Sequence, residues 1–174
     1  SPHQFWLWNS LVALAYFGAG KLGHLLAMPG TAITAIWPPA GIALVAILVY
    51  GWRTSPGIWV GAFSIGYSGL LKSGNHLPDL EGLFAGMLMA TGSTLGALAA
   101  GYGLRRLVRR RPDWRNVSHT GWLFLIGATA NLINASIGTA GLCSFGQVPT
   151  TAAAQVWLTW WLGDTLGVFV FAPF

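Results

Sequence analysis

Six continuous runs of apolar residues, in a chain of 174 with only nine Lys and Arg and four Asp and Glu, set the narrowest bounds on this sequence. They cover residues 5–27, 36–50, 56–71, 80–104, 121–142 and 152–171. About 20 apolar residues in a helix are needed to cross about 30 Å of hydrocarbon. Inside lipid, every backbone N–H and C=O must be paired within a helix or a closed barrel. The runs are unbroken rather than alternating, which argues against a barrel. The fold expected is all-α, a polytopic transmembrane bundle of about six helices, with residues 1–174 forming one integral-membrane domain. Charged residues make up 7% of the chain, far below the quarter or so that water-soluble domains carry.

The net charge of +5 invites a nucleic-acid reading, but its distribution argues otherwise. Arg105, Arg106, Arg109, Arg110, Arg111 and Arg115 crowd into one connection between apolar runs. Such a cluster is a topology signal, because short loops rich in Lys and Arg stay cytoplasmic. Counting outward from it, Arg53 also falls inside, while Lys72, Asp79 and Glu81 fall on the far side and both termini are cytoplasmic. The same loop could meet anionic headgroups, although orientation alone accounts for it. Cys143 is the only cysteine, so no internal disulfide can form. Residue 1 is Ser and no signal peptide is visible, so the chain is expected to be a piece of a longer one.

The second run opens unusually, with Trp37-Pro38-Pro39 after a stretch beginning Pro29-Gly30. Proline is tolerated in a first helical turn, where its missing N–H would be unpaired anyway. The residue before a proline is pushed toward extended backbone. Residues 30–37 are therefore expected to be extended or re-entrant, with a helix starting near Pro38. Irregular backbone at membrane depth survives only when buried in protein or lining a cavity. This loop is either one wall of a site or a plain interfacial loop with Trp37 in the aromatic belt.

Small residues recur at Gly57 and Gly61, at Gly82 and Gly86, and at Gly92 and Gly96 followed by Ala100. The four-residue spacing puts them on one helix face and lets backbones approach closely. Seams within one protomer are the expected use, with dimerisation the alternative; among 24 glycines such matches are weakly specific.

The stretch "WLTWWLGDTLGV", residues 157–168, places an acid deep in an apolar run. With a rise of 1.5 Å per residue, Asp164 lies about 18 Å from the start of its run. A carboxylate at that depth facing lipid costs at least about 2.5 kcal/mol, so its face should point inward. Trp157, Trp160 or Trp161, and Asp164 share that broad face at helical spacing. Asn131 and Asn134 on the fifth run lie at matching depth and supply amide donors. Lys21 is the other available partner, although its flexible stem can snorkel outward. An Asp164–Asn hydrogen bond is expected ahead of a Lys21 salt bridge. This network either fixes helix register or forms part of a ligand- or proton-sensing site, with the tryptophans as flat apolar walls.

His3, His24, His76 and His119 are scattered along the chain, and no metal or haem site is expected from them. No G-x-S-x-G, Walker loop, H-E-x-x-H or paired catalytic carboxylates occur. No enzymatic activity and no cofactor are expected of this chain.

The combination of "AYFGAGKLGHLLAMPGTAITAIWPPAGIALVAILVYGWRTSPGIWVGAF" at residues 15–63 with "WLTWWLGDTLGVFVFAP" at 157–173 resembles the first type of membrane-associated sensor domain, the MASE family of bacterial integral-membrane sensors. Trp37, Pro38, Pro39, Gly41, Trp157, Trp161, Gly163 and Asp164 match its signature. The fourth and fifth runs match only in general character. The resemblance implies a sensory input domain in the bacterial inner membrane, fused to a cytoplasmic histidine kinase or diguanylate cyclase, and commonly paired as a homodimer. The ligand candidates are then Lys21, Trp37, Pro38, Pro39, Gly41, Asn131, Asn134, Trp157, Trp160, Trp161 and Asp164. Partners expected are the bilayer, a small apolar or amphipathic molecule, or another membrane protein, and no nucleic acid. A small-molecule-capturing transport module of similar size, and an anchor that recruits a partner protein, are the competing readings.

Overall fold

A computed structural model describes residues 2–25, 36–72, 80–108 and 115–173. Each apolar run becomes one helix: α1 (Pro2–Leu25), α2 (Pro38–Tyr50), α3 (Ser55–Lys72), α4 (Leu80–Leu107), α5 (Val117–Ser144) and α6 (Ala153–Phe171). Short 3-10 turns at Trp52–Thr54 and Thr150–Ala152 precede α3 and α6, and no strand occurs among the described residues. Two of the six, α4 and α5, are long and apolar enough to cross a membrane by length and composition. At 13 residues, α2 extends only about 20 Å.

Helix ends differ from the apolar counts for identifiable reasons. Ile36 and Trp37 are not helical, and α2 starts at Pro38 with prolines filling its first two positions, where no N–H is required. The rest of the expected extended or re-entrant stretch, residues 30–35, lies outside the described residues, as do His76, Asp79, Arg109, Arg110 and Arg111. The fifth helix begins four residues before the expected 121, because the Asn116 side chain accepts from the Ser118 N–H at 2.9 Å and caps it. The fourth runs past 104 into Arg105 and Arg106, cations at a helix C-terminus where the macrodipole favours them. Arg105 also has a tertiary role. Its Nη2 donates to the Ile47 and Leu48 carbonyls at 2.6 and 3.0 Å, adding to the Gly51 N–H bond that caps the C-terminal end of α2.

Packing follows the order α1, α3, α4, α5, α6, α2 and back to α1, with α2 also reaching α4. Glycines form the seams, all within this one chain. A Cβ at Gly57 would overlap the Asn9 backbone, and one at Gly61 would meet Ala13 and Tyr16, so α3 lies directly on α1. Asn9 reinforces this seam: its Oδ1 accepts from the Gly57 N–H at 2.6 Å, and its Nδ2 donates to the Phe5 and Arg53 carbonyls. Gly86 faces Phe63 and Tyr67 of α3, whereas Gly92 and Gly96 face Asn134 and Ala130 of α5. The buried interior is built from small side chains such as Ala43, Ala85, Ala90 and Ala135, with Leu44, Ile58 and Leu123 as its larger members.

The glycine seams predict a contrast. Gly57→Ala should lower the thermal midpoint in detergent, with overpacking costing about 1–3 kcal/mol. Gly18 has nothing within 4 Å of an added Cβ, so Gly18→Ala should hold or raise the midpoint. Equal effects of the two changes would overturn the seam assignment.

Candidate functional site

Asp164 has no exposed surface and sits where five helices converge. Around it lies a small cavity of about 10 Å³, lined by Tyr16 of α1, Ala40, Ala43 and Leu44 of α2, and Ser93, Ala97 and Ala100 of α4. Asn131 and Asn134 of α5 and Asp164 and Val168 of α6 complete the wall. An acid in such a place requires donors, since water cannot solvate it freely. Asn134 provides one: its Nδ2 donates to Asp164 Oδ2 at 2.5 Å. Asn134 is held in turn by Ser93, whose hydroxyl donates to Asn134 Oδ1 at 3.2 Å. Tyr16 of α1, 2% exposed, borders the same cavity as Ser93. A polar relay thus runs from Ser93 of α4 through Asn134 of α5 to Asp164 of α6.

Glycine makes the central bond sterically possible. A Cβ at Gly92 would stand 2.9 Å from Asn134 Oδ1, so only glycine at that position leaves the amide where it meets both Ser93 and Asp164.

The expected partnership of Asp164 with a fifth-helix asparagine is therefore present, through Asn134. Lys21 does not reach Asp164. Its Nζ donates to Ser68 Oγ at 3.2 Å and lies 4.8 Å from the centre of the Phe17 ring. Asn131 is at the site, although its Nδ2 has no partner among the described residues.

The tryptophans of α6 differ from the expected role of cavity walls. Trp157 donates to Ser136 Oγ at 3.0 Å and Trp161 to the Ala128 carbonyl at 2.8 Å, while the Trp160 ring packs over Gly138. All three brace α6 against α5, and none borders the cavity. Each indole already has its own place on α5, at Ser136, Gly138 and the Ala128 carbonyl. Helical spacing alone cannot distinguish the two flanks of one broad face.

The Trp-Pro-Pro segment is fixed to α6 by its backbone. The Trp37 N–H donates to the Gly163 carbonyl at 2.9 Å, and a Cβ at Gly167 would fall on the Trp37 carbonyl. Gly41 faces the Gly167 carbonyl and Phe171, and Pro38 and Pro39 are buried beside it. The Trp37 ring lies against Gly23 of α1, 5.3 Å from the His24 ring between centres. Trp37 and Gly163, adjacent to Asp164, thus join α1, α2 and α6. Ser93 and Tyr16 went unnoticed in the sequence because a hydroxyl within an apolar run is unremarkable until a partner faces it. Asn9 could have been found by the reasoning that picked out Asp164. Among the described residues, no three His, Cys, Asp or Glu side chains converge as metal ligands would.

A bundle of apolar helices closed on one buried carboxyl group among the described residues is the architecture of a membrane domain with a polar centre. The family model described as MASE1 matches residues 8–174, and the chain belongs to that family of membrane-associated sensory domains. Comparison with curated proteins and with solved structures gave no match.

If the Asn134–Asp164 bond holds α5 to α6, Asn134→Leu leaves a buried carboxyl group without its donor. The expected cost is about 1–3 kcal/mol in unfolding free energy. Adding Asp164→Leu should restore part of the loss, giving a coupling energy of about 0.5–3 kcal/mol in a double-mutant cycle. Strict additivity would mean that the two side chains act independently.

Proposed function

We propose that this chain is the transmembrane sensory input domain of a bacterial signalling protein, passing a stimulus to a cytoplasmic histidine kinase or diguanylate cyclase. The observation that carries this reading is the Asp164 junction, where five helices meet at one polar centre in a chain of a sensory family. A buried polar group costs free energy unless its partners stay in place. An arrangement that depends on donors from several helices therefore has few ways to move without changing state, and a bundle with two such states can be biased by differential binding.

In this reading all six helices span the inner membrane. The basic connection around Arg105 and Arg115 lies in the cytoplasm, and so do both ends of the chain. A stimulus shifts α1 and α2 relative to α6 through the Trp37–Gly163 bond and the Gly41–Gly167 contact. Motion of α6 then reaches the output domain through its cytoplasmic end. The stimulus is a small apolar or amphipathic molecule in the bilayer, or a partner membrane protein, and the signalling unit is a homodimer. The narrow space beside Asp164 supports a sensor of displacement better than a transport module, which needs room for its cargo.

In the full-length protein, Asp164→Asn and Trp37→Ala should each change kinase or cyclase output several-fold at wild-type abundance in the membrane. Output that is unchanged in both variants would overturn the sensory role of this junction. The topology can be checked separately. Single cysteines at Arg115 and at Glu81, in a Cys143→Ser background, should be labelled by impermeant maleimide from the cytoplasmic and outer sides respectively.

A further inference from the structure

Two polar atoms on residues that line the cavity have no partner among the described residues. Asp164 Oδ1 and Asn131 Nδ2 are both buried, on residues that border the same cavity of about 10 Å³. One is an acceptor without a donor and the other a donor without an acceptor. A buried polar atom left without a partner loses its hydration with nothing to replace it. The cavity volume matches about one water, and an ordered buried water normally has two to four polar partners.

We propose that this cavity is a binding site for a single ordered water, which donates to Asp164 Oδ1 and accepts from Asn131 Nδ2. Tyr16 and Ser93, which line the same cavity, supply an acceptor for its second proton. A water suits the pair because it donates and accepts at once. A bare cation would face the N–H of Asn131, and an organic hydroxyl would bring a carbon for which the alanine walls leave no space. The site makes a second link between α5 and α6, parallel to the Asn134–Asp164 bond, and extends it toward α1. It goes beyond the sensory reading and does not rest on it, since the geometry demands an occupant whether or not the domain signals.

The test is nuclear Overhauser contact between water and side-chain amides in the isotopically labelled full chain in micelles. The Asn131 amide protons should show a cross-peak at the water frequency with the sign of a long-lived bound molecule. Asn9 is the internal control, because its amide donates to the Phe5 and Arg53 carbonyls, and it should show no such peak. Ala97→Val, which fills the cavity without touching a polar group, should abolish the Asn131 peak and leave the Asn9 pattern intact. Asp164→Leu should abolish it as well. Absence of the peak in the wild type, or its survival in Ala97→Val, overturns the proposal. So do saturable shifts of Asn131 when sodium replaces potassium, which would assign a cation. Cross-peaks from Asn131 to carbon-bound protons of a lipid or additive would overturn it in favour of an organic hydroxyl.

Discussion

A carboxyl group with no exposed surface must be given partners by the fold, and the positions of four other helices follow from how Asp164 obtains them. Asn134 can donate to it only if α5 approaches α6 closely, and can do so in the observed pose only if Gly92 on α4 stays clear of the amide. Ser93 then fixes the orientation of Asn134, and Tyr16 of α1 lines the same cavity. In a low-dielectric interior each of these bonds is stronger than in water, and each missing one is more costly. The polar centre therefore specifies which helices meet and at which height, something that a uniformly apolar interior would leave loosely defined.

Glycine and alanine provide what the polar centre requires, which is proximity. Helices in lipid gain little from hiding apolar surface from one another, so close backbone packing takes over. The α1–α3 seam at Gly57 and Gly61, the α4–α5 seam at Gly92 and Gly96, and the α2–α6 seam at Gly41 and Gly167 all follow this rule. Short α2 is the exception that needs help at both ends. Prolines and the Trp37–Gly163 bond secure its start, and Arg105 closes its end.

These contacts also give the sensory reading its physical content. Trp37 touches α1 through its ring and α6 through its backbone, one residue away from Asp164 along α6. Displacement at the Trp-Pro-Pro segment thus reaches the buried acid directly, with no long chain of intermediates. Coupling across so short a path needs only that the two states differ in which hydrogen bonds α6 keeps.

Much of this could be read from the sequence. Uninterrupted apolar runs determined six helices, Pro38 and Pro39 determined where α2 begins, and the isolation of Asp164 at depth determined that it must face inward and find a donor. The choice of Asn134 over Lys21, the outward bracing by Trp157, Trp160 and Trp161, and the closure of α2 by Arg105 were decided only by tertiary structure. Local rules depend on spacing along one helix, so they fix length, depth and face within about one flank. Which residue of another helix stands opposite depends on interhelical distance and rotation. Glycines in three different seams set these together, and their combined effect exists only once the bundle has closed.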